Sequence, residues 1–315
     1  MRVLFCAETF PEARKRLVKQ PSAADYDIVA CQRSELASAI RDADVAIPLM
    51  SRIDAAMIHS GRLRLIQQWG AGLEGVDLEA ARAKGVRVAN VPASGNNADS
   101  VAELVVMLIL ALLRDLPKCQ ASVREGLLGI PIGTMLAGRT VSLYGLGSIA
   151  RAAASRLRAF NVRLIGITRE PRSEKIAEFG LDAIYSIAER DTALAQTDIL
   201  VVCSKMTPEM RGTIDESVFR AMPPGGFLVN AARGGLIHRE AFLAALRGGR
   251  LAGAGLDVYW DEPISPDDPL LAFPNVIATP HVAGVTDRSY DEIAMAVAKN
   301  LELLRQGQEP LNRVV

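Results

Sequence analysis

Short runs of β-branched and other apolar residues alternate with helical stretches from the first residue onward. Val3–Cys6, Ile28–Ala30, Val45–Leu49, Leu63–Gln67 and Val86–Ala89 have the length and composition of buried strands. Helices between successive strands imply a parallel sheet covered on both faces. A long helix is predicted from about Ala98 to Leu116, with Pro117 as its stop. The following segment, Cys119–Ala137, mixes glycine, proline and scattered leucines and is expected to form an extended arm. A second alternating series starts at Val141, with strands predicted at Val141–Gly145, Arg163–Thr168, Ile199–Val202, Phe227–Asn230, Gly253–Asp257 and Val276–Ala278. The last helix, Asp287–Arg305, is surplus to that series and can return to the first one. The expected division is therefore a discontinuous domain, 1–97 with 286–315, and a second domain over 98–285.

A chain of 315 residues, half of them hydrophobic, can fill two cores. Lysine plus arginine equals aspartate plus glutamate at 36 each, so no global field draws it to nucleic acid or to an anionic membrane. Any anion site has to be local. The longest apolar run, Leu104–Leu113, is shorter than the roughly 20 residues a bilayer requires and is expected to be buried between domains or subunits. Met1–Glu8 has the pattern of a first strand and not of a secretion signal. Cys6, Cys31, Cys119 and Cys203 show no CxxC spacing, so free thiols in a reducing cytoplasm are expected.

Thr140–Tyr144 is an apolar strand that runs into Gly145-Leu146-Gly147-Ser148-Ile149-Ala150, and a helical stretch, Ala152–Phe160, follows. Gly145 permits a tight turn. Gly147 lets backbone approach a pyrophosphate, and Ala150 allows close packing of helix on strand. Alone, such a turn is a weak signal. The order strand, turn, helix makes it a dinucleotide site. The next strand should end in an acid for the ribose hydroxyl. It ends instead in Thr168-Arg169, with Arg172, Ser173 and Lys175 close behind and Glu170 two residues past the tip. Hydroxyl and guanidinium groups suit a 2′-phosphate, which an acid would repel. NADP is therefore the expected cofactor, with NAD as the alternative.

Three further strand ends carry reactive groups: Arg233 after Phe227–Asn230, Glu262 after Gly255–Tyr259, and His281 after Asn275–Pro280. Hydride transfer to a carbonyl needs a proton donor and a cation for the substrate. Histidine suits the first, a carboxylate on its other nitrogen fixes the tautomer, and arginine suits the second. Taken singly, each of these residues is as well explained by an ion pair or a turn. His59 and His238 are expected to be exposed. Three scattered histidines and no paired acids predict no metal site.

Gly145–Ala150, Asn230-Ala231-Ala232-Arg233-Gly234, Ala254–Val258, Glu262-Pro263 and Asn275–His281 together resemble the D-isomer-specific 2-hydroxyacid dehydrogenases, over nearly the whole chain. The resemblance implies an α/β fold of two doubly wound parallel-sheet domains, a Rossmann cofactor domain and a flavodoxin-like substrate domain. It implies His281 as acid/base, Glu262 as its partner, Arg233 as substrate anchor and Asp257 beside the nicotinamide amide. Cofactor contacts are expected at Leu146, Ser148, Ile149, Thr168, Arg169, Arg172, Cys203, Lys205 and Ala231 as well as at the glycines. Gly70–Glu74 matches the substrate loop, so the amides of Ala71 and Gly72 should receive the substrate carboxylate. The family also implies a homodimer, with Leu104–Leu113 and Cys119–Ala137 as contact surfaces.

Departures from the pattern sharpen the expectation. Thr168 stands where most members carry aspartate, which supports NADP, and Lys205 stands where many have proline. Asn97 occupies the position at which related formate dehydrogenases hold substrate with asparagine. Those enzymes have glutamine in place of Glu262, which disfavours formate. Trp69 and Trp260 are expected either to line a pocket or to be core. The leading expectation is an NADPH-linked reductase of a small 2-oxo acid such as glyoxylate, hydroxypyruvate or an arylpyruvate. The competing one is a cofactor-sensing binding protein of the corepressor type on the same fold.

Overall fold

A computed structural model describes all of residues 1–315. The chain forms two compact units, Met1–Asn97 with Thr286–Val315, and Ala98–Val285.

In the first unit, β1 (Arg2–Phe5), β2 (Asp27–Ala30), β3 (Val45–Ile47), β4 (Leu65–Gln67) and β5 (Arg87–Ala89) form a parallel sheet in the order β2-β1-β3-β4-β5. The order reverses at β1, so connections leave on both faces and both must be covered. Val3, Leu4, Val45, Ala46, Ile47, Leu65 and Ile66 are accordingly buried whichever face they point to. The helix Asp287–Arg305 belongs to this unit. It buries Tyr290, Ile293, Ala294, Val297, Leu301 and Leu304, the three-and-four spacing of one apolar stripe.

The second unit holds β6 (Thr140–Tyr144), β7 (Arg163–Thr168), β8 (Ala183–Ser186), β9 (Ile199–Val202), β10 (Gly226–Asn230), β11 (Leu251–Leu256) and β12 (Val276–Ala278). They pair in parallel in the order β12-β11-β10-β9-β6-β7-β8. The direction of winding switches between β6 and β9. In an open α/β sheet, the carboxyl ends on either side of such a switch form the ligand crevice. Two apolar clusters cover the two faces, one around Leu200, Leu228 and Phe242, the other around Val141, Val201 and Leu108.

The long apolar helix spans Gly95–Leu113 and is long and apolar enough by length and composition to cross a membrane. In the structure over half of the helix is buried. Two glycines of β11 explain the close seat of its second-unit part. A Cβ at Gly255 would meet Leu108 Cβ at 3.0 Å, and one at Gly253 would meet Leu112 Cδ2 at 3.3 Å.

Three sequence expectations are corrected. The long helix stops at Leu113, not Leu116, and Pro117 is not its stop. A second helix, Leu116–Arg124, follows, with Pro117 in its first turn, where a missing N–H leaves no bond unmade. Asp115 caps it by accepting from the amide of Lys118 at 3.4 Å. The expected arm Cys119–Ala137 is thus helical in its first part, and only the residues after Arg124 lack regular structure. The edge strand β8 was absent from the expected series. Its four residues are only half-buried, so its apolar pattern is weak.

Candidate active site

β10, β11 and β12 are neighbours in the sheet, so the segments leaving their carboxyl ends start side by side. Arg233, Glu262 and His281 lie on those three segments. His281 Nδ1 is 2.6 Å from Glu262 Oε2, with side-chain exposures of 24% and 12%. The other carboxylate oxygen, Oε1, accepts from the amide of Tyr259 at 2.9 Å. Burial opposes ionisation of Glu262. The bond from His281, the histidine's charge, the Tyr259 amide and the Arg233 guanidinium outweigh it and hold the carboxyl below its usual range. An ionised Glu262 on Nδ1 fixes the ring's tautomer and leaves Nε2 as the nitrogen able to exchange a proton with a bound molecule.

His281 itself sits at φ +54°, a region rarely used by residues other than glycine. Asp257 holds the segment there. Its Oδ1 accepts from Thr279 Oγ1 at 2.6 Å and from the amide of Val282 at 2.8 Å, and its Oδ2 accepts from the amide of Ala283 at 2.8 Å. Asp257 is fully buried, and that burial raises its carboxyl pKa against the pull of those donors. Tyr259 adds a bond from its hydroxyl to Thr279 O at 2.8 Å. Sequence reasoning missed this clamp, because Asp257 and Thr279 come from separate strands.

Arg233 is set by Asn230, whose buried side chain donates to Arg233 O and accepts from the amide of Ala232, both at 2.9 Å. The guanidinium donates to Ala232 O at 2.7 Å. Gly234 follows where no side chain fits, since an added Cβ would lie 2.1 Å from the carbonyl carbon of Tyr259.

The glycine turn lies at the switch of the same sheet, between β6 and the helix Ser148–Leu157. Gly145 has φ +100°, and a Cβ there would come within 2.7 Å of the Ser204 backbone. Gly147 is different, because its Cβ would meet nothing within 4 Å. Gly147 is also the helix N-cap and has no side chain for the first-turn amides. Open space beside such amides fits a phosphate. Ala150 is buried, whereas Leu146, Ser148 and Ile149 are partly exposed.

At the tip of β7, Thr168 is buried and Arg169 exposed. Arg172 pairs with Glu170 at 2.6 Å on the surface, both side chains about two-thirds exposed. Cys203 and Ala231 are buried, at the end of β9 and just past β10. Burial pushes the Cys203 thiol up to about 12, so it stays protonated. Lys205 is exposed.

Ala71, Gly72 and Asn97 belong to the first unit. Asn97 Nδ2 donates to Ser289 Oγ at 3.0 Å. Trp69 is core, between Phe5 and Tyr290 with ring centres at 5.9 and 5.8 Å. Trp260 packs on Phe242 and donates its indole N–H to Ile237 O at 2.6 Å. His59 and His238 are exposed, and His238 caps the helix Arg239–Arg247.

Residues 106–283, which carry the glycine turn, Arg233, Glu262 and His281, match the family model "D-isomer specific 2-hydroxyacid dehydrogenase, NAD binding domain". The chain belongs to this family. Its second unit therefore carries the family's NAD-binding domain. A D-3-phosphoglycerate dehydrogenase of Archaeoglobus fulgidus is 33% identical over 86% of the chain, although the chain spans only about half the length of that relative and of the mycobacterial ones. A glyoxylate reductase of Aeropyrum pernix is 33% identical over 99% of the chain and 95% of its own length. Among solved structures, an NADPH-dependent glyoxylate/hydroxypyruvate reductase of Sinorhizobium meliloti, in complex with NADP and malonate, is similar with a TM-score of 0.85. It is 30% identical, with 100% of this chain and 96% of that one covered.

Proposed function

We propose that this family member is an NADPH-linked reductase of small 2-oxo acids, with glyoxylate and hydroxypyruvate as the first candidates. The observation that carries the reading is the His281–Glu262 pair at 2.6 Å on strand ends adjacent to that of Arg233. A bound reduced nicotinamide supplies the hydride. Arg233 holds the 2-oxo acid by its carbonyl and carboxylate oxygens. His281 gives the proton on Nε2 to the carbonyl oxygen as the carbon receives the hydride, which yields the 2-hydroxy acid. Glu262 holds the imidazolium before transfer. The amides of Ala71 and Gly72 receive the substrate carboxylate. The names of the Aeropyrum and Sinorhizobium relatives support the substrate class. The test is a panel of glyoxylate, hydroxypyruvate, pyruvate and phenylpyruvate with each cofactor. NADPH oxidation with at least one is expected. Tight NADPH binding with no turnover on any would favour the binding-protein reading.

The preference for NADPH rests on Thr168 and Arg169 at the β7 tip and on the absence of a carboxylate there. Glu170, the nearest acid in sequence, is paired with Arg172, and Glu209 lies within electrostatic reach of Arg169. Thr168→Asp with Arg169→Ala should weaken NADPH binding by about 10- to 100-fold, the loss of one or two charge-assisted bonds plus a new repulsion, and leave NADH binding nearly unchanged. Tighter binding of NADH than of NADPH by the unaltered chain would overturn this part.

A homodimer is proposed on the segment after Arg124. Leu128 is 95% and Ile132 94% exposed, and Val123 and Met135 are exposed beside them in sequence. Exposed apolar side chains in one short stretch, from the end of the helix Leu116–Arg124 onward, suit an interaction surface, and a second copy is the proposed occupant. Leu128→Glu with Ile132→Glu should convert a dimer to a monomer by analytical ultracentrifugation. A monomeric native chain would refute it.

A further inference from the structure

The loop after β4 in the first unit runs Gln68-Trp69-Gly70-Ala71-Gly72-Leu73. Three consecutive carbonyls in it are held by hydrogen bonds. The amide of Val91 donates to Gly70 O at 3.1 Å, Asn90 Nδ2 donates to Ala71 O at 2.9 Å, and Gln68 Nε2 donates to Gly72 O at 2.6 Å. In a planar trans peptide the C=O and N–H point in opposite directions. The amides of Ala71, Gly72 and Leu73 are therefore turned away from the groups that hold those carbonyls. None of the three donates within the chain. Successive backbone N–H groups left free in a fixed turn make a receptor for an anion.

Gln68 is the centre of this arrangement. It is 8% exposed, and both amide ends are used. Nε2 also donates to Leu49 O at 3.0 Å, and Oε1 accepts from the amide of Trp69 at 2.9 Å. Turned over, the side chain would set its oxygen against two carbonyls and its NH2 against an N–H, so the pattern allows one orientation only. The Leu49 carbonyl belongs to a residue at φ +54°. One side chain thus ties the loop after β3 to the loop after β4, strands that are neighbours in the sheet.

We infer that Gln68 and Asn90 are positioning residues, which act by fixing the carbonyls of the substrate-carboxylate loop so that its amides face the anion. The identity of that anion rests on the reductase reading above. Donors fixed in advance need no reorganisation when the ligand binds, so loosening them costs affinity. A carboxylate held equally in ground and transition states changes KM and not kcat.

The test uses the full chain with Gln68→Met, which keeps length and loses both polar ends, with Gln68→Glu, which faces two carbonyls with a carboxylate, and with Asn90→Ala. KM for the best 2-oxo acid should rise about tenfold in Gln68→Met and in Asn90→Ala, and further in Gln68→Glu, while kcat changes by less than about threefold. NADPH affinity should not change. Oxamate, a 2-oxo acid mimic that is not reduced, supplies a readout free of turnover. It should shift the 15N–1H signals of Ala71 and Gly72 in the native chain and bind about tenfold more weakly to Gln68→Met. Unchanged oxamate affinity in Gln68→Met would overturn the inference. So would a fall in kcat that tracks Tm while KM stays constant, which is the mark of a packing role. If the native chain reduces no 2-oxo acid yet oxamate shifts Gly72, the reductase reading fails alone, and the variant's oxamate affinity still decides for or against Gln68.

Discussion

His281→Ala is expected to lower kcat/KM for 2-oxo acid reduction by about 10²- to 10⁴-fold, the range for loss of a positioned general acid. The loss should fall on kcat, because the proton moves only during the chemical step. NADPH binding should remain near its native value, since the glycine turn lies at the far side of β9 and β10 from β12. The variant also leaves the part-buried Glu262 carboxylate without its 2.6 Å partner, so some loss of thermal stability is expected. Steady-state kinetics well below the variant's Tm separate the two effects. Native turnover in the variant would show that His281 does not supply the proton.

Gly234→Ala should be the most damaging small substitution in the second unit. The added methyl would lie 2.1 Å from Tyr259 C, 2.2 Å from Tyr259 O and 2.7 Å from Trp260 N. All three are backbone atoms, so no flexible side chain can swing aside. The strand-end segment after β11 must move, and with it the Tyr259 amide that holds Glu262 and the Tyr259 hydroxyl that holds Thr279. Gly234 also adjoins Arg233, so the loop carrying the guanidinium is disturbed from its own side. Overpacking of this kind destabilises by about 3 kcal/mol. A displacement near 1 Å at reacting groups costs on the order of 10²-fold in rate. Gly235→Ala is the control, since its Cβ would come within 3 Å only of Met206 Cε, the tip of a flexible side chain. Equal Tm and equal kcat/KM for the two variants would refute the argument.

The strand series, the glycine turn and the three strand-end residues were legible because each is written in a contiguous stretch. A buried parallel strand is an unbroken apolar run, and a residue directly after it lies at the carboxyl end of a sheet. The short edge strand β8 was illegible for the converse reason, since half-buried residues leave little apolar contrast. Pro117 misled because proline stops a helix in its interior but favours its first turn, and the choice depended on the left-handed Asp115 before it.

From sequence alone came the two α/β series, the dinucleotide turn and the residue types for hydride transfer. Only the tertiary structure decided the rest. It set the order β12-β11-β10, which places Arg233, Glu262 and His281 on adjacent strand ends. It paired His281 with Glu262, closed Asp257 on the histidine's segment, and engaged Arg172 with Glu170. It also turned three amides outward by holding their carbonyls with Gln68, Asn90 and Val91. The Arg172–Glu170 and Gln68–Gly72 bonds are local and depend on the path of one loop, and the others share one physical reason. Hydrogen bonds of about 3 Å between residues far apart in the chain depend on sheet order and loop path, and the local apolar pattern encodes neither.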